Sequence, residues 1–424
     1  MDKKQLKESL FNYVDENSDN LIQLCSDLIR FPTENPTVDT TDITDYIEKF
    51  LNDSGLETER LESNDKMFNL LTNTETQNNK GKKMILCGHT DVVPAGDRKK
   101  WDFDPFGGEV KDGWLLGRGA SDMKAGLGGI IFAISTISKL NIELPGTVSL
   151  AVVPDEETGG EYGVPWLLER GLIEGDGCLI AEPSSPQNPT IGQKGSYWFK
   201  LTTYGTPGHG SLSPIAGGNA IDDMLLAIHE VKRLWEMDIN MPDEVKELLS
   251  ESKRYMQEVE KEREEFYPVL ENITVNIGKI NGGTKSNVIP EKCEVEIDCR
   301  LPFGVTQDQV TSKISKLLNS LNINYNIERF GFKSDANYTP ASNPICKSIV
   351  DNIEVVTKKE AYGVMQWASS DARHFRNYNI PVLQYGPAHL STIHGYNERV
   401  KTEQIITCCK VYLGAIVDFL HPTN

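Results

Sequence analysis

With 424 residues, 38% of them hydrophobic and 25% charged, the chain can form two domains or one large one, and its composition excludes a fibrous or disordered protein. Sixty-two acidic against 43 basic residues leave a net charge of −19, which argues against nucleic acid or an anionic membrane surface as the main partner. No run of about 18 apolar residues is present, so no membrane-spanning helix is expected, and the polar start MDKKQLKESL lacks the apolar core of a secretory signal.

In chain order, LIQLCSDLIRF (residues 21–31) has helical apolar spacing that stops at Pro32, and DITDYIEKFLNDSGL predicts a second helix ending near Gly55. MFNLLTN, KKMILCGH, TVSLAVVP and DGCLIAEP read as strands, with a helix over 125–140 among them. Alternating strands and helices predict an α/β sheet with covering helices. After Glu182 the texture changes. GSYWFKLTTYG reads as a strand of polar alternation and 220–236 as a helix, followed by a charged helical stretch at 243–265. That stretch reads as a solvated excursion, with a partner-binding arm as the alternative. NITVNIGKI and KCEVEIDCRLP then predict strands, 307–321 a helix and NYNIERF a further strand, which together make a smaller, partly antiparallel α+β region. The α/β texture returns with the strand PVLQYGP and the closing helix EQIITCCKVYLGAIVDFL, so the smaller region reads as an insertion into the larger one.

The eight cysteines form no CxxC pair, and several lie inside apolar runs. They read as reduced, buried residues of a cytoplasmic protein. Any metal is then to be held by His, Asp and Glu.

Successive strand ends carry such groups. KKMILCGHTD ends in His89 and Asp91, whose spacing in an extended chain turns both side chains the same way. Asp91 could there orient the imidazole. GRGASDMKAG places Asp122 among glycines, TVSLAVVPDEETGG sets Glu156 beside Glu157, and DGCLIAEP ends on Glu182. A lone HxD is more often structural, and adjacent glutamates are more often a solvated turn. Loops at the carboxyl ends of strands gather at one edge of an open sheet, however, so four such features point to a shared site. Two buried neighbouring glutamates are costly unless divalent cations offset their repulsion. GRGASDMKAGLGG lacks both the lysine-serine/threonine ending and the spacing of a phosphate-cradling loop.

GHTDVVP, GRGASDMKAG, PDEETGG, AEPS and the late HGYNE closely resemble the family containing acetylornithine deacetylase, succinyl-diaminopimelate desuccinylase, aminoacylase and glutamate carboxypeptidase. The resemblance covers nearly the whole chain and is weakest between Asp238 and Pro268. It implies a catalytic α/β domain of mixed sheet and flanking helices (1–196 and 336–424), with an inserted ferredoxin-like α+β lid or dimerisation domain (197–335). It further implies two zinc ions per subunit, with cobalt or manganese as substitutes. His89 and Glu182 would hold one ion and Glu157 and His394 the other, with Asp122 bridging. Asp91 would support His89, and Glu156 would be the general base. A cis peptide is implied at Asp122–Met123. In the inserted domain, His209 of TPGHGSLSP would stabilise the oxyanion, in dimeric members at the neighbouring subunit's site. Asn287 and Arg300 would contact a substrate carboxylate, with the Gly386 backbone as a weaker anchor. An Arg300 paired with a nearby acid is the alternative for that residue. His389 reads as structural or rim, Trp101, Phe103 and Phe106 as packing under a loop, and His229, His374 and His421 receive no role. The implied reaction is hydrolysis of an N-acyl-L-amino acid by a homodimer; a dipeptidase or carboxypeptidase is the alternative, and a non-catalytic binding protein the remote one.

Overall fold

The computed structural model describes residues 2–421 except 37, 75–80, 214, 216–217, 260 and 332–333. The chain divides into two compact units, one made of Met1–Ile191, Thr339–Val364 and Ser370–Asn424, the other of Gly192–Tyr338 and Met365–Ser369.

In the first unit, strands Thr58–Asn64, Met67–Asn73, Thr147–Val153, Lys83–His89, Gly177–Ile180 and Val382–Gln384 lie side by side in that order. The first two pairings are antiparallel and the remaining three parallel. The four parallel strands therefore end at a common edge. Register sets His89 level with Val153 and Cys87 level with Ile180. The residues just beyond these strands, among them Glu156, Glu157 and Glu182, are thus delivered to the same level as His89.

Helix Lys124–Lys139 is buried from Lys124 through Ile137, as a helix apolar on every side must be. Its glycines serve packing. A Cβ on Gly126 would lie 2.0 Å from the Ala181 carbonyl, and one on Gly128 would lie 2.5 Å from Cys25 Sγ. The helix runs one residue earlier at each end than its apolar spacing predicts. Helix Ser18–Ile29 is preceded by a separate helix, Lys3–Glu16, not among the elements predicted above although Leu6, Leu10 and Val14 recur at helical spacing; it starts on an Asp2–Gln5 capping box. The closing helix Thr402–Leu420 is buried along most of its length.

The second unit follows a β-α-β-β-α-β order: Gly195–Tyr204, Ala220–Lys232, Thr274–Gly282, Lys292–Leu301, Gln307–Asn319, Asn324–Arg329. Numbered along the chain, its strands lie in the order 2-3-1-4, the ferredoxin-like arrangement. Strand alternation turns Tyr197, Phe199, Leu201, Val295, Ile297 and Leu301 inward. Val310, Ile314 and Leu318 of the second helix meet them.

The charged stretch departs from its expected solvated state. Helix Asp243–Glu258 buries Val245, Leu248, Leu249, Ser252, Tyr255 and Met256. These positions form one helical stripe, masked in sequence by the charges that fill the opposite face. Ser252 Oγ accepts from Met365 N–H at 2.8 Å, which ties the helix into its unit.

Among the described residues no helix is long and apolar enough to cross a membrane. All eight cysteines are unpaired and buried.

Candidate metal centre

His89 is the last residue of its strand. Its Nδ1 lies 2.9 Å from the Asp91 carbonyl oxygen and 3.3 Å from Asp91 Oδ1, leaving Nε2 to face outward. Asp122 follows the tight GRGAS turn, and the Asp122–Met123 peptide is cis. Its position is set by a buried carboxylate, Glu398, whose Oε1 accepts from Ser121 N–H at 2.9 Å and Asp122 N–H at 3.1 Å. Glu398 pairs in turn with buried Arg118, which donates from Nη2 to the Gly395 carbonyl at 3.0 Å. Strand Arg399–Lys401 pairs with Trp114–Leu116 and holds the two loops together. His394 stands at the head of this link in left-handed backbone, φ 60°.

Among the described residues, two groups of potential ligands come together and share Asp122. In the first, His89 Nε2 lies 3.3 Å from Asp122 Oδ1 and 3.6 Å from Glu182 Oε1. In the second, His394 Nε2 lies 3.2 Å from both Asp122 Oδ2 and Glu157 Oε2. The first group is sealed by a buried His89. The second opens to solvent, since the His394 side chain is 51% exposed.

Glu156 and Glu157 sit on a short 3-10 turn behind strand Thr147–Val153, entered through Asp155 at φ 73°. Asp91 holds this turn from one side. Its Oδ1 accepts from Glu156 N–H and its Oδ2 from Glu157 N–H, both at 3.1 Å. Asn35, whose bond to Pro36 is cis, donates from Nδ2 to Asp91 Oδ2 at 2.9 Å and to Asp155 Oδ1 at 3.1 Å. Asp91 thus serves the glutamate pair as well as His89, and Asn35 fixes Asp91.

The electrostatics are those of crowded acids. Burial, then the charges of Glu182 and Asp371, push the Glu156 carboxyl well above its usual range. Burial and the Asp122 charge do the same to Glu182 and raise Glu157 to about 7. Asp122 stays low because its close contacts with His394 and His89 outweigh burial. Those with Asp122 and Glu157 raise His394 to about 11. For His89, burial opposes the charge, yet the neighbouring carboxylates of Asp122 and Asp91 prevail and its pKa rises. His89 Nε2 and Glu157 Oε1 are buried without a hydrogen-bond partner. Oxygen and imidazole donors turned to a common space, two of them orphaned, fit divalent cations.

The other expected residues are placed as follows. Gly386 lies against the Glu182 strand end, where a Cβ would meet the Ala181 carbonyl at 2.3 Å; its N–H donates to Ser184 Oγ at 3.3 Å. His389 Nδ1 lies 3.2 Å from both Thr392 Oγ1 and Ser391 Oγ, with the ring edge-on to Trp114. Trp101 is buried and donates from Nε1 to the Ala95 carbonyl at 2.9 Å. In the second unit, His209 is exposed, with Nδ1 2.7 Å from Ser211 Oγ. Its loop runs beside that of Asn287, whose carbonyl accepts from Gly210 N–H at 2.8 Å. Arg300 is ion-paired with Asp298 at 2.9 Å and donates from Nη1 to Ser196 Oγ at 2.7 Å, the acid-paired arrangement. Sequence reasoning missed Asn35, Arg118, Glu398 and Asp371. Arg118 and Glu398 lie inside motifs it had singled out, GRGASD and HGYNE, so position within a motif was the available signal.

The profile described as Peptidase family M20/M25/M40 matches residues 85–418. The chain is 27% identical over 410 residues to the succinyl-diaminopimelate desuccinylase of Ehrlichia canis (strain Jake), covering 94% of this chain and 98% of that protein. It is also 27% identical over 410 residues to the protein of the same name from Wolbachia pipientis wMel, covering 95% and 94%. Similar solved structures include human carnosine dipeptidase 1, with a TM-score of 0.78 at 17% identity over 98% of this chain and 99% of that one. The M20 family metallo-carboxypeptidase Sso-CP2 from Sulfolobus solfataricus also scores 0.78, at 19% identity over 94% and 99%. At these identities the structural likeness speaks for the fold.

Proposed function

The chain belongs to peptidase family M20/M25/M40, and from that premise we propose that it is a metal-dependent amidohydrolase that removes the acyl group from an N-acyl-L-amino acid, of the succinyl-diaminopimelate desuccinylase kind. The observation that carries this reading is the pair of ligand groups sharing Asp122 at the carboxyl edge of the parallel strands.

In this reading His89 and Glu182 would hold one ion and Glu157 and His394 the other, with Asp122 common to both groups. When bound, two divalent ions, zinc by the donor set, would supply Lewis acidity toward the scissile carbonyl and a water. Asp91 fixes the His89 ring through Nδ1, so that Nε2 presents its lone pair. Glu156 is left free by its neighbour Glu157. Its carboxylate takes the proton from the attacking water and passes it to the leaving nitrogen. His209 is assigned to the oxyanion and Asn287 and Arg300 to the substrate carboxylate, with the Gly386 backbone as a minor anchor; these four assignments, like the homodimer, rest on the family resemblance, and the cytoplasmic location rests on reading the eight cysteines as reduced.

Amine release from a panel of N-succinyl, N-acetyl and dipeptide substrates tests the proposal, using zinc- or cobalt-loaded protein and a chelated control. Cleavage of an acyl-amino acid that stops on chelation is expected. A preference for dipeptides would replace the deacylase reading by a peptidase one, and cleavage that survives chelation would overturn both.

A further inference from the structure

The turn that carries Glu156 and Glu157 is gripped from a second side by residues without a role so far. Arg373, buried, donates from Nη2 to the Gly159 carbonyl at 2.8 Å. The ring of His374 stands nearby, its Nε2 3.8 Å from Asp371 Oδ1. The Asp371 carboxylate lies against Gly160, where a Cβ would meet its Oδ1 at 2.6 Å. Gly159 and Gly160 adopt φ 116° and 78°, a path that glycine takes without strain, and this lets the turn lie flush on these side chains.

Asp371 is costly where it stands. It is buried, and its Oδ1 has no hydrogen-bond partner. Although it precedes helix Ala372–Asn377, its side chain makes no capping bond. A buried carboxylate so poorly satisfied destabilises a fold, and an uncharged residue of similar shape would serve packing better. Arg373, two residues on, reaches the Gly159 carbonyl. Asp91 and the pair Asp371 and Arg373 therefore hold opposite ends of one short turn, the Glu156 and Glu157 N–H groups on one side and Gly159–Gly160 on the other.

We infer that Asp371 and Arg373 form a clamp that sets where the Glu156 and Glu157 carboxylates stand, and that they are positioning residues for the reaction. The inference rests on the roles proposed above for those two glutamates. Releasing Gly159 leaves the turn held only from the side of Asp91 and Asn35. The base and one ligand then shift together, while His89 and Glu182 stay in place.

The test compares Arg373→Ala, Arg373→Lys and Asp371→Asn in the full chain, reading kcat, KM, bound metal per chain and melting temperature. Arg373→Ala is expected to lose about 10–100-fold in kcat, as for other residues that hold ligand-bearing groups. KM should stay near wild type and one of two ions should be lost; Arg373→Lys should recover part of both. Asp371→Asn should lower kcat while keeping or raising the melting temperature, a combination that a purely structural role does not produce. Wild-type kcat with both ions retained in Arg373→Ala overturns the clamp. Should Arg373→Ala fail to fold, Asp371→Asn decides alone: undiminished kcat overturns the inference. If the wild type cleaves nothing on the panel, the metal count still reads the clamp, with loss of one ion supporting it and retention of both overturning it.

Discussion

The inner face of the second unit's sheet buries Tyr197, Phe199, Leu201, Val295, Ile297 and Leu301, whereas the strand ends of the first unit bury His89, Asp91, Glu182, Asp371 and Glu398 as thoroughly. The first set is favourable in itself, because each side chain leaves water for an apolar neighbour. The second set is not, since each acid loses hydration and meets others of its own sign. Packing explains the one region completely. The other makes sense only with a cation to offset its charge and a reaction to use it.

That contrast can be broken at either end. The largest effect is expected for Glu156→Gln, which should lower kcat by about 10^4-fold, the upper range for a general base, while metal content stays at the wild-type level. Parallel loss of metal, measured by elemental analysis, would merge base and ligand into one role. Phe199→Ala in the apolar region should instead cost about 3–5 kcal/mol of unfolding free energy, read by denaturant titration, with no change in metal per folded chain. A cost under about 1 kcal/mol would mean that this face is less tightly packed than it looks. Metal loading should add about 2.7 kcal/mol at a free-metal level 100-fold above Kd, visible as a raised melting temperature that Glu182→Gln diminishes. Equal melting with and without metal would remove the claim that the acidic region is stabilised conditionally.

A pH-dependent effect sharpens the comparison from within the second unit, where one buried lysine interrupts the apolar pattern. Lys194 donates to the carbonyls of Val269 and Asn272, the latter at 2.7 Å. Burial, then the charge of Arg300, lowers its pKa to about 7, against partial support from Cys299 and Asp298. Between about pH 7 and its unfolded value near 10.5, the unfolded chain binds the extra proton. Stability should therefore rise with pH across that window, and Lys194→Met should flatten the rise. A wild-type minus variant difference that does not change with pH would assign Lys194 a fixed charge state.

Legibility followed the same divide. Strands such as Lys83–His89 and helices such as Thr402–Leu420 are visible because burial imposes a period on their apolar residues. The loops that carry the candidate ligands are visible because His89, Asp122, Glu157, Glu182 and His394 each sit in a short contiguous motif. The supports are not. Asn35 reaches Asp91 across 56 positions and Arg373 reaches Gly159 across 214. Glu398 reaches Asp122 across 276, and no local spacing encodes a contact of that kind. The charged helix Asp243–Glu258 failed for another reason, since its apolar stripe is sparse among charges and reads as solvated until the helix is given a face to pack on.

The burial of every thiol gives the chain eight built-in clocks. A thiolate in solvent reacts readily with an alkylating reagent, but a sealed thiol waits for the surrounding structure to open. Cys293 and Cys299 lie on strand Lys292–Leu301 of the second unit, and the other six lie in the first. Mass-resolved labelling therefore times the opening of each unit separately, in the unaltered protein and without an added probe.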